Sequence, residues 1–106
     1  MRQLGVYNND MMAGILTEQN PGKGYVFTYD QAYLDSGGNP VSVTLPLRQA
    51  SYESENMFPF FVNLLPEGAN RTVICRNYRI DEDDFFGILT VMSGQDFIGA
   101  VNVKEL

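Results

Sequence analysis

Four consecutive acids, Asp81, Glu82, Asp83 and Asp84, are the densest set of groups in this chain that could hold a cation. Mg²⁺ and Ca²⁺ take oxygen ligands, but a calcium-binding loop alternates its ligands, turns on a central glycine and closes on a distant glutamate. The contiguous run supplies none of these. It reads as a solvated start to a helix, where negative charge suits the helix dipole. Asn20-Pro21-Gly22-Lys23-Gly24 sets glycines beside a lysine, as a phosphate cradle does, yet the GxxxxGK[ST] pattern is missing and no helix follows. It reads as a turn. Asn70-Arg71-Thr72 has the spacing of a glycosylation acceptor, which carries weight only behind a secretory signal. The final Lys104-Glu105-Leu106 is only part of a retention signal.

What the chain lacks narrows the chemistry further. It has no histidine and one cysteine, Cys75. Ser-His-Asp and Cys-His nucleophilic pairs, the common zinc ligand sets and an internal disulfide are therefore excluded. Cys75 falls inside a helical pattern, where a small buried apolar residue is expected rather than a reactive thiol. Phosphoryl transfer needs phosphate-cradling glycines, a lysine and metal-binding carboxylates in defined contexts, and that set is not found. The expectation is a non-catalytic protein without cofactor or metal.

Seven basic residues against 13 acidic ones give a net charge of -6. Phosphate neutralisation needs clustered lysine and arginine, so direct nucleic-acid binding is not expected. Arg71, Arg76 and Arg79 come nearest, and the four acids follow at once. Contact with DNA would pass through a basic partner. No apolar run approaches the ~20 residues of a membrane span, and residues 1–20 lack a signal peptide's basic start and apolar core. A cytoplasmic protein without membrane contact is expected, with residues 1–106 forming one domain.

The elements that would position any site change period half-way along the chain. Residues 3–7 and 12–18 read as strands around Asn8-Asn9-Asp10, whose types tolerate positive φ. Pro21-Gly22-Lys23 with Gly24 makes the next reversal, and 25–29 is rich in β-formers. One helical turn over 30–35 is capped at Asp30 and stopped by Ser36-Gly37-Gly38. Residues 41–47, VSVTLPL, alternate with period two and read as a strand with Val41, Val43 and Leu45 on one face. A helix starts near Met57 or Phe58, with Pro59 tolerated in its first turn, and ends at Pro66. A second, over about 68–79, turns Ala69, Val73, Ile74 and Tyr78 inward and its arginines outward. A third, over about 82–92, opens under Asp81 and turns Phe85, Ile88, Leu89 and Met92 inward. Ser93-Gly94 closes it, and 99–103 is a last short strand. The fold class is α+β: a small, mainly antiparallel sheet from N-terminal hairpins plus a C-terminal strand, packed with about three helices.

Three segments taken in order, VSVTLPL (41–47), FFVNLLPEG (60–68) and GQDFIGAV (94–101), resemble the N-terminal subdomain of HipA-type serine/threonine kinases, the toxins of bacterial toxin–antitoxin modules. The strand–turn–strand opening fits too, so the resemblance covers essentially the whole chain. It implies a non-catalytic subdomain that precedes the kinase core, which holds the nucleotide. Such a subdomain is either fused to the kinase, where it helps contact a HipB-type helix-turn-helix antitoxin, or is a separate small protein that acts as antitoxin in split three-gene systems. A fragment of a longer protein is the third arrangement. Two departures are visible. The family commonly has an arginine where Gly94-Gln95-Asp96 stands, and a bulky residue, often tryptophan, where Ala69 follows Leu-Leu-Pro-Glu-Gly. A mechanism in which that bulky side chain plugs a kinase site does not carry over unmodified.

The leading expectation is an interaction module that docks on a HipA-like kinase core and restrains it. The alternative is an assembly domain bridging to a HipB-like helix-turn-helix repressor without inhibiting the kinase. Partner contact is expected at Leu65, Pro66, Glu67, Gly68, Ala69, Asn70 and Arg71, where a turn fixed between two helices loses little ordering entropy on binding.

Overall fold

Asn9 and Asp10 both adopt positive φ (51° and 64°), the conformation of a tight hairpin turn that their short polar side chains tolerate. In the computed structural model, which describes residues 1–66, 68–93 and 101–106, this turn joins β1 (Arg2–Asn8) to β2 (Met11–Asn20). Gly22, at φ 73°, reverses the chain again into β3 (Lys23–Tyr29). With β4 (Tyr52–Ser54) and β5 (Val101–Glu105) these form a five-stranded antiparallel sheet in the order β4-β3-β2-β1-β5. The last strand thus lies beside the first, and the N-terminal hairpin occupies the middle of the sheet.

One face of the sheet carries Leu4, Val6, Leu16, Phe27 and Val103, all fully buried, in the alternation that a half-buried sheet requires. Onto the buried cluster pack α1 (Gln31–Asp35), α2 (Pro59–Val62), α3 (Ala69–Tyr78) and α4 (Phe85–Met92). The expected α+β class holds, with four helices among the described residues. Phe61 is the hub: its ring lies 5.2 Å from Phe60, 5.7 Å from Phe27 and 6.2 Å from Phe58.

Three local expectations are corrected. Residues 41–47 do not form a strand: 41–45 are bends and turns, and 46–47 have no regular structure. The hydroxyl of Tyr29 accepts from the Val41 N–H at 3.1 Å and donates to the Leu45 carbonyl, and Leu45 N–H returns to Ser42 O at 3.0 Å. That clasp buries Val41 and Leu45 and leaves Val43 94% exposed, a period of four where two was expected. In α3 the inward face is also different. Cys75 is buried, as expected, but Ala69 is exposed and Val73 and Tyr78 are 54% and 58% exposed. Arg71 faces partly inward instead, anchored on the Pro66 carbonyl. Finally, α4 begins at Phe85 and is capped by Asp84, whose carboxylate accepts from the Gly87 N–H at 3.0 Å; Asp81 lies one turn earlier. The caps at Asp30 and Phe58 make no side-chain bond.

Candidate functional site

The chain reaches the expected contact segment by way of a well-fixed anchor. α2 ends at Val62, and two tighter bonds, Leu64 N to Phe61 O (3.2 Å) and Leu65 N to Val62 O (3.1 Å), carry the backbone round to Leu65. Leu65 is buried in the core cluster, so it holds the segment and offers a partner little surface. Pro66 is half-buried, and its carbonyl accepts from Arg71 Nε at 2.9 Å. That single bond spans the turn and fixes its width. The Arg71 guanidinium also lies 5.9 Å from the Phe85 ring, at the outer limit of a cation–π contact.

Gly68, Ala69 and Asn70 are exposed, and Gly68 takes φ 58° and ψ −132°. This left-handed backbone is open to glycine and strained for other residues. Its carbonyl receives the Thr72 N–H at 3.2 Å, and Thr72 Oγ1 reaches Glu82 at 2.8 Å, tying the start of α3 to the acidic segment. The structure therefore brings Pro66, Gly68, Ala69, Asn70 and Arg71 into one short rim. Glu67 lies outside the described residues, as do Gly94, Gln95, Asp96 and Gly99.

A second cluster was not anticipated from the residues. Glu18 is 2% exposed, and its carboxylate accepts from Arg2 Nε (2.7 Å), the Tyr25 hydroxyl (3.1 Å) and the Gly22 N–H (3.1 Å). Arg2 then donates to Asp84 at 2.9 Å, so one arginine clamps the cap of α4 to the sheet. Burial alone would raise the Asp84 carboxyl, but the bonds from Arg2 and Gly87 hold it below the usual carboxylate range. Burial, then the charge of Glu18, pushes the Tyr25 hydroxyl up to about 12. Every carboxylate in this cluster is occupied by protein donors, so it works as a clamp. Among the described residues no group of three or more His, Cys, Asp or Glu is placed to hold a metal ion, and no helix is long and apolar enough to cross a membrane. Burial pushes the Cys75 thiol up, away from reactivity.

Residues 4–104 match the family described as the HipA N-terminal domain. A solved structure, "N-terminal domain of HipA toxin", superposes with a TM-score of 0.71 at 27% identity, over 99% of this chain and 94% of that one. An uncharacterized protein of Haemophilus influenzae is 35% identical over 92 residues, which is 87% of this chain and 81% of that protein. "Putative kinase Y4mE" of Sinorhizobium fredii is 30% identical over 104 residues, covering 97% of this chain but only 24% of the kinase.

Proposed function

This chain belongs to the HipA N-terminal domain family, and from that premise we propose that it is a non-catalytic interaction module of a bacterial toxin–antitoxin system, one that docks on a HipA-like kinase core and restrains it. The observation that carries the reading is the extent of the match. Nearly the whole chain aligns with about a quarter of a protein named as a kinase, so it corresponds to a part that such a kinase carries beside much further sequence. Its own residues include no histidine and no nucleophile–base pair around which to build a separate reaction.

The contact is made by the rim from Leu65 to Arg71. Leu65 and the Arg71–Pro66 bond hold the turn in one shape, and the exposed Gly68, Ala69 and Asn70 meet the partner. A preformed turn of this kind keeps the ordering cost of docking low. Ala69 is too small to plug a catalytic cleft, so restraint acts by holding the kinase core and not by filling its nucleotide site.

Mixing the purified chain with a HipA-like kinase core from the same source should give a complex at micromolar concentration and slow autophosphorylation. Absence of a complex at that concentration overturns the reading. A complex with undiminished kinase activity, together with capture of a helix-turn-helix protein, would select a bridging role instead.

A further inference from the structure

Between α1 and β4 the chain crosses residues 38–51 without a helix or strand. A loop of this length inside a small domain is uncommon unless it has a role of its own. Packed backbone must place its donors and acceptors somewhere, and here they do not reach the main chain of the fold. Among the described residues, no backbone–backbone hydrogen bond joins 38–51 to another element. The one such bond in the segment, Leu45 N to Ser42 O, stays inside it. Three tyrosines stand in for a ladder. The Tyr29 hydroxyl accepts from the Val41 N–H and donates to the Leu45 carbonyl, Tyr33 donates to the Asn39 carbonyl, and Tyr52 donates to the Pro46 carbonyl. Tyr29 and Tyr33 belong to the frame, buried and stacked with their rings 6.2 Å apart. Within the segment only Val41 and Leu45 are buried, while Val43 between them points to solvent. The remaining ties to the sheet and α1, Ser51 to Thr28 and Gln49 to Gln31, are exposed side-chain pairs. Arg48 lies 3.6 Å from the Tyr52 ring and directs its donors to the carbonyls of Ala50 and Ser51.

We propose that residues 38–51 form a latched strap, which opens as a unit while the sheet and α4 stay folded. The latch is the Tyr29 hydroxyl, because it holds the strap at two points, and those points are its two buried residues. Opening withdraws two apolar side chains from the core and breaks no sheet or helix bond, so it requires far less than global unfolding. The strap also guards one end of the sheet. β4 pairs with β3 only from Tyr25 to Phe27, and beyond that Thr28 and Tyr29 are met by Ser51 and by the clasped loop. An open strap therefore bares Tyr29 and the end of β3, edge positions that the closed strap covers. The device follows from bonds within this chain and is independent of the docking reading above.

Amide hydrogen exchange followed by NMR on the full chain tests it. The reporters are Val41 and Leu45, buried strap residues whose N–H groups are bonded, and Leu16 in the middle of the sheet. In low urea the two strap amides should exchange through an opening nearly insensitive to denaturant, whereas Leu16 should follow global unfolding. Ile88→Val, in α4, should lower global stability and leave the strap rates within about twofold of the parent. Tyr29→Phe keeps the ring and removes the latch, and should speed exchange at Val41 and Leu45 about tenfold. If the strap amides share the urea dependence of Leu16 and accelerate in Ile88→Val, the segment opens only with the whole fold and the proposal fails. It fails equally if they exchange at free-peptide rates in the parent, since nothing then holds the strap shut. Strap rates unchanged in Tyr29→Phe would overturn the assignment of the latch. The comparisons in the parent and in Ile88→Val decide the matter even if Tyr29→Phe does not fold.

Discussion

Gly68 holds the turn open through backbone geometry alone. A Cβ added there would meet nothing within 4 Å, so Gly68→Ala encounters strain at φ 58° and no clash. The expected loss is about 1–3 kcal/mol in urea unfolding, with the turn distorted even where the domain survives. Gly87 is the opposite case. A Cβ would sit 2.3 Å from the Asp84 carboxylate, so Gly87→Ala must expel the cap of α4. Asp84 itself makes stability depend on pH. Its folded carboxyl is held below the unfolded-chain value of about 3.9, so its contribution is full above that pH and is lost as pH falls through the lower folded value. Stability of the parent measured from pH 6 down to pH 2 should therefore fall more steeply below about pH 4 than that of Asp84→Asn. Arg2→Met should cost about 3 kcal/mol, the lower end for stranding a buried charge, because Glu18 keeps only Tyr25 and Gly22 as donors.

Among the elements, α2 shows how unevenly one apolar run is used. Phe61 is fully buried at the centre of three other rings, whereas Leu64 is half-buried. Phe61→Ala should cost about 3–5 kcal/mol, and Leu64→Ala clearly less, by thermal or urea unfolding. The run was legible as core from its composition, and so were the hairpin turns, the proline at the start of α2 and the buried cysteine of α3. Two devices hid the rest. A bulge between Val6 and Tyr7 shifts the hairpin register by one residue, so that Arg2 faces Glu18. Counting outward from the turn would have put Thr17 opposite Arg2, and nothing in the local sequence marks the slip. The clasp of Tyr29 on Val41 and Leu45 overrode the alternation of VSVTLPL, because hydrogen bonds from a distant side chain decide that segment. Within α3, so few large apolar residues are present that two faces fit the pattern equally. The anchor of Arg71 on Pro66 chose between them. The expected contact segment was legible as a turn between helices.

At the scale of the molecule, the sheet is built from both ends of the chain, with β1 between β2 and β5. The clamp of Arg2 on Glu18 and Asp84 adds a second tie between the first strand and the late helix. The clamp joins residues 82 positions apart, a non-local contact of the kind that slows folding. The rim and α3 lie within the loop that this contact closes. On the proposed function, a saturating kinase core should raise the apparent stability of the chain by mass action, about 2.7 kcal/mol at a concentration 100-fold above Kd. A melting temperature unmoved by the kinase core would count against docking at any face.

Cys75 gives this arrangement an internal stopwatch. It is the sole thiol, buried against the core on the one side of α3 that packs at all. At 4% exposure Cys75 is labelled mainly when the helix lifts away, so labelling rates report how often that opening occurs. Few contacts restrain α3, so labelling should proceed through local opening, nearly independent of low urea, and faster than global unfolding allows. On the proposed function, a kinase core bound to the rim, where α3 begins, would slow that clock without touching the sulfur.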